Sequence, residues 1–154
     1  MTRREMREHI FCMVFLEDFY QNDLLTQQRE HYLDDVSVMD ADDFELRGFP
    51  FVDKDSSLSY IRDEDRKELN SRIEQIASCI EKIDEKINSI AQGWRTGRMG
   101  KVDLAIIRVA CYEILYDQKV PDKVAINEAV EIAKKYGGDD SPSFVNGILA
   151  KLVK

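Results

Sequence analysis

Residues 62–90 read RDEDRKELNSRIEQIASCIEKIDEKINSI. Leu69, Ile73, Ile76, Ile80, Ile83, Ile87 and Ile90 recur there in steps of four and three, the spacing of an apolar seam along one long helix. Such a seam must be covered. A dimeric coiled coil would cover it with a second copy, but packing within the same chain is the better expectation, because several other amphipathic segments are at hand.

Those segments lie on both sides. Upstream, Ile10, Val14 and Phe15, with Phe11 and Phe19 beside them, mark one face of a helix over about residues 3 to 20, whose first turn holds Arg3, Arg4 and Arg7. Asn22 or Asp23 is placed to cap a second helix carrying Leu24, Leu25, Tyr32 and Leu33. The acidic run Asp34, Asp35, Asp40, Asp42, Asp43 and Glu45, followed by Arg47-Gly48-Phe49-Pro50-Phe51, then breaks the pattern, so residues of about 34 to 60 read as a long irregular connection. Downstream, Gly93 ends the seam and Trp94 to Gly100 forms a turn, with Trp94 expected in the core. Val102 to Tyr116 is apolar on most faces and should be the central helix. Pro121 allows a new start, Val124 to Tyr136 makes an Ala-rich helix closed by Gly137-Gly138, and Ser141-Pro142 reads as the N-cap and first turn of a last helix through Phe144, Val145, Ile148, Leu149 and Leu152. No strand pattern competes. The class is all-α, with six or seven helices.

The composition agrees with a folded domain. The 154 residues are 44% hydrophobic and 34% charged, with 7 Gly and 3 Pro, which excludes a disordered tail and a collagen-like repeat. No stretch approaches the ~20 uninterrupted apolar residues of a membrane span, and the charged first residues offer no apolar core of a secretory signal, so a cytoplasmic address is expected. Cys12, Cys79 and Cys111 are far apart and outside any C-x-x-C pair, which suits reduced, buried thiols. The net charge of −8 confines any anion site to a local patch.

Catalytic and metal motifs fail one by one. Gly100-Lys101 resembles the end of a phosphate-binding loop, yet Arg95 stands where its first glycine belongs and Val102 where Ser or Thr would hold magnesium. Asp53-Lys54-Asp55-Ser56-Ser57 with Glu64 imitates a calcium loop, but Leu58 replaces the turn glycine. His9 and His31 stand apart with no metal spacing, and Ser141 lacks the surroundings of a nucleophile. No metal, cofactor or reaction is expected. Binding remains. Arg3, Arg4 and Arg7 lie on a first helical turn or a flexible arm before it; on a helix Arg3 and Arg7, at i and i+4, would share a face and offer planar forks to phosphates, while Glu5 and Glu8 could equally pair with them and cancel their field. The loop Gly137-Gly138-Asp139-Asp140-Ser141 exposes backbone N–H groups before a helix, though caps explain it equally well.

Longer patterns add a resemblance. Val120-Pro121-x-Lys123-Val124-Ala125-Ile126-Asn127-Glu128-Ala129-Val130-Glu131-x-Ala133-Lys134 with Gly137, followed by Asp140-Ser141-x-x-Phe144-Val145-Asn146-Gly147-Ile148-Leu149, resembles the C-terminal signature of the bacterial transcription antitermination factor NusB family. Trp94-x-x-x-Arg98, Val102-Asp103, Ile107-Arg108 and Tyr112-Glu113-Ile114-Leu115 are similar to its middle block, Ile83-Asp84-x-x-Ile87 to the element before it, and Arg3-Arg4-x-x-Arg7-Glu8 to its arginine-rich start. The match covers most of the chain apart from about residues 21 to 65.

That resemblance implies one domain over residues 1–154, built of two packed small bundles at about 1–92 and 93–154. It implies binding of single-stranded boxA-type RNA together with NusE, a ribosomal protein, within an RNA polymerase antitermination complex on rRNA operons, without catalysis or cofactor. Residue by residue, Arg3, Arg4, Arg7, Asp140 and Phe144 match RNA-contacting or RNA-affecting positions, and Asp103 matches an acid at the NusE interface. Asn127-Glu128 and Asn146-Gly147 are assigned to helix contacts. The chain departs from the pattern at Glu5, where another base is common, at Phe15, which lacks a usual tyrosine hydroxyl, and at Ser143, in place of a frequent Lys or Arg. Three phosphate contacts to a single strand would give a salt slope of only about −2, so RNA should bind better with NusE present. The same fold also serves as the RNA-positioning module of rRNA cytosine methyltransferases, but the chain runs to Lys154 with no cofactor domain or catalytic cysteine. A helical adaptor that binds only proteins is the third reading.

Overall fold

The computed structural model describes residues 1–36 and 61–153. Among the described residues it has six α-helices and no strand: α1 (Arg3–Phe15), α2 (Asn22–Val36), α3 (Asp63–Ile90), α4 (Lys101–Tyr116), α5 (Asp122–Tyr136) and α6 (Ser141–Leu152), with short 3-10 turns at Leu16–Asp18 and Thr96–Arg98. The irregular connection expected up to residue 60, and Asp53 to Leu58 of the calcium-like loop, lie outside the described residues. The chain divides into two compact units, Met1–Ile73 and Glu74–Lys154, and the division falls within α3.

In the first unit, α1 opens on a reciprocal cap. The Thr2 hydroxyl accepts from the Glu5 N–H at 3.1 Å, and the Thr2 N–H donates to Glu5 Oε2 at 2.9 Å, so two otherwise orphaned donors are satisfied. Met6, Ile10, Phe11, Cys12, Met13 and Val14 are buried along this helix. It stops at Phe15, earlier than the periodicity predicts, and Phe19 beyond the 3-10 turn is 53% exposed rather than part of the apolar face. Asn22 begins α2 with φ 54°, a left-handed conformation that Asn tolerates better than most residues. Buried His9 and Tyr32 meet through Nδ1 and Oη at 2.7 Å, which ties α1 to α2. An ion pair between Arg29 and Glu17, and another between Arg66 and Asp34 at 2.6 Å, connect further elements.

The seam of α3 is buried within the chain at Leu69, Ile73, Ile76, Ile83 and Ile87, while Ile80 and Ile90 are half-buried. The second unit is organised around α4, which packs against both α5 and α6. Its side chains from Leu104 to Cys111 are all buried, as the unbroken apolar run requires. One of them is charged: Arg108 donates through Nε and Nη2 to both carboxylate oxygens of Asp84, at 2.9 and 2.7 Å. A bidentate pair is the arrangement that makes a buried guanidinium tolerable.

The join between α5 and α6 is tight. A Cβ at Gly137 would stand 2.5 Å from Ser141 Cβ and 2.8 Å from the Ala133 carbonyl oxygen, so space alone demands glycine. The helix after it starts differently from the sequence expectation. Asp140 is the N-cap and Ser141 the first helical residue; the Ser141 hydroxyl turns back to accept from the Gly138 N–H at 3.0 Å.

Candidate nucleic-acid interface

Arg3, Arg4 and Arg7 sit on the first two turns of α1, in the helix itself and not on an arm before it. Arg3 and Arg4 are exposed and Arg7 is half-buried. The Thr2–Glu5 cap fixes this end of the helix and engages the Glu5 carboxylate with the backbone. The positive end of the helix dipole adds to the three guanidinium charges there.

Asp140, Phe144 and Asp103 belong to the second unit. Asp140 is exposed at the N-cap of α6, its side chain making no capping hydrogen bond, and Phe144 lies one turn later, joined by the Phe144 N–H to the Asp140 carbonyl at 3.0 Å. Asp103 stands in the first turn of α4, half-buried, and its Oδ1 is buried without a hydrogen-bond partner among the described residues. Asp140 and Phe144 are thus neighbours on one helix end, whereas the arginines are carried by the other unit.

Trp94 overturns its expected place in the core: it is 53% exposed, and its ring meets Phe144 edge to face, centroids 5.5 Å apart at 71°. The physical reason is local. Gly93 takes φ +79° and turns the chain out of α3, and Met99, 5% exposed, is the side chain that this loop sends inward. The setting between Gly93 and Gly97, beside Arg95 and Arg98, is a loop composition that pointed to the surface.

Burial, with the Asp84 charge adding to it, pushes the Cys111 thiol up to about 12, so it stays protonated and unreactive near neutrality. No three His, Cys, Asp or Glu side chains gather as a metal site among the described residues, and no helix there is long and apolar enough to cross a membrane.

The chain is similar to known proteins along nearly its whole length. Transcription antitermination protein NusB of Lachnoclostridium phytofermentans is 44% identical over 153 residues, covering 99% of each chain. The protein of the same name from Agathobacter rectalis is 40% identical, covering 98% of each. Among solved structures, NusB of T. maritima superposes with a TM-score of 0.73 at 29% identity, covering 99% of this chain and 90% of that one. A chain from "Crystal Structure of a Plectonemic RNA Supercoil" reaches the same TM-score at 17% identity, covering 98% and 93%, and shares the fold alone. The NusB family model itself matches residues 4–154, and the chain belongs to the NusB family.

Proposed function

We propose that the protein is a transcription antitermination factor that binds single-stranded boxA-type RNA together with the ribosomal protein NusE, acting in the cytoplasm as part of an RNA polymerase complex and catalysing no reaction. The observation that carries this reading is likeness over nearly the whole chain to proteins named for transcription antitermination. The arrangement of side chains supports it. Arg3, Arg4 and Arg7 supply phosphate contacts at a capped, positive helix end, and Phe144 supplies an aromatic ring next to Asp140. A single strand is held by a few cations and by stacking, so an acidic molecule can bind it without a broad basic surface.

Asp103 is assigned to NusE. A carboxylate on a half-buried residue, with one oxygen that has no hydrogen-bond partner among the described residues, is suited to a donor from a basic ribosomal protein. With only three arginines on the phosphates, RNA binds more tightly once NusE is present. Titrating labelled boxA RNA with the protein, with and without NusE, tests both statements: tighter binding in the presence of NusE is expected, and equal affinities reject the cooperation. No binding in either arm rejects the RNA reading.

A further inference from the structure

Trp94 is the only tryptophan of the chain, and about half of its surface faces water. The loop that carries it is held at several points. The Trp94 N–H donates to the Ala91 carbonyl at 3.0 Å, the Thr96 N–H donates to Asn88 Oδ1 at 2.9 Å, and Met99 anchors the far side in the core. Phe144 buttresses the indole from α6. An exposed ring fixed in this way loses little freedom when something stacks on it. The charge along its loop is one-sided: residues 94–101 hold Arg95, Arg98 and Lys101 and no acid, within a chain of net charge −8. Arg95 and Arg98 are both exposed.

We propose that Trp94 is a base-stacking residue, on which an unpaired nucleobase lies while Arg95 and Arg98 take the phosphates beside it. This rests on the RNA reading above and extends its surface from Phe144 to the loop after α3. An exposed indole backed by half-buried Phe144, flanked by cations and free of carboxylates along its own loop, suits a strand that offers π faces on a negative backbone. A basic protein such as NusE would instead be repelled by these arginines.

Because Trp94 is alone in the chain, its fluorescence reports on the contact directly. Labelled boxA RNA is titrated against the protein with NusE present, reading anisotropy of the RNA and emission of Trp94 together. Emission of the W94F chain under the same conditions is subtracted to remove any NusE signal. Quenching that saturates along with the anisotropy is expected, as is about tenfold weaker binding by W94A, with W94F retaining most of the affinity. Normal anisotropy with unchanged emission, and with W94A as tight as the parent, would overturn the stacking role and leave the RNA function standing. W94A that loses NusE capture but keeps its RNA affinity would overturn it as well and give the face to protein. Absence of any anisotropy change would remove the RNA reading and this inference with it.

Discussion

The two units carry their proposed RNA-facing side chains by opposite means. In the first, the surface is charge on a helix end: three arginines in the opening turns of α1, fixed by a Thr2–Glu5 cap that organises backbone and not side chains. In the second, it is shape: Phe144 and Trp94 held edge to face by a glycine turn, tethering hydrogen bonds and a buried methionine. Charge acts at a distance and fades with salt, whereas stacking acts on contact and is largely indifferent to it. Contributions of the two surfaces are therefore separable by ionic strength.

Reactivity gives the widest contrast within the second unit. With its thiol pushed up from 9.0 to about 12, Cys111 should be about a thousandfold less ionised at pH 8 than an unperturbed thiol and so react far more slowly with a thiol reagent than half-buried Cys79, and labelling followed by peptide mapping measures the ratio. The rate at Cys111 should climb with pH up to about 12, as the thiolate forms. Comparable rates would mean that the core around Cys111 is not dry.

Charge reversal comes next. R3E, R4E and R7E combined should weaken RNA binding more than a hundredfold at low salt and make the salt slope shallower by about 2, the share of three phosphate contacts, while NusE capture is kept. An unchanged slope would place the phosphate contacts elsewhere. G137A should then cost about 1–3 kcal/mol in urea unfolding, since the new methyl overlaps Ser141 and the Ala133 carbonyl. Phe144→Ala should lower RNA affinity by about tenfold and leave the salt slope as it was, the signature of stacking as opposed to charge. Smallest of all, T2A should cost about 1 kcal/mol by removing one half of the cap, and it should reduce RNA affinity only to the extent that the first turn of α1 frays.

Much of the fold could be read because helices announce themselves by period. The isoleucine seam, the unbroken apolar run of α4 and the double glycine after Tyr136 each set an element within a few residues of its observed bounds. Features that depend on one particular contact were harder to see. The early end of α1, the shift of the N-cap from Ser141 to Asp140 and the pairing of Asp84 with Arg108 leave no periodic trace. The site divides in the same way. Arg3 and Arg7 stood out by spacing and the loop holding Asp140 by its glycines before a helix start, whereas Phe144 and Asp103 came only through the family signature. Trp94 was misplaced because size and apolarity favour the interior, and only the Gly93 turn sends it outward.

The doubly bonded Asp84 and Arg108 have a consequence for how such chains diverge. Arg108 is 5% exposed, so removal of the carboxylate would strand a positive charge away from water, a loss of about 3–5 kcal/mol, whereas an apolar pair filling the same volume can be neutral. The two positions are therefore expected to change together, since a chain that loses only the acid is left in the less stable state.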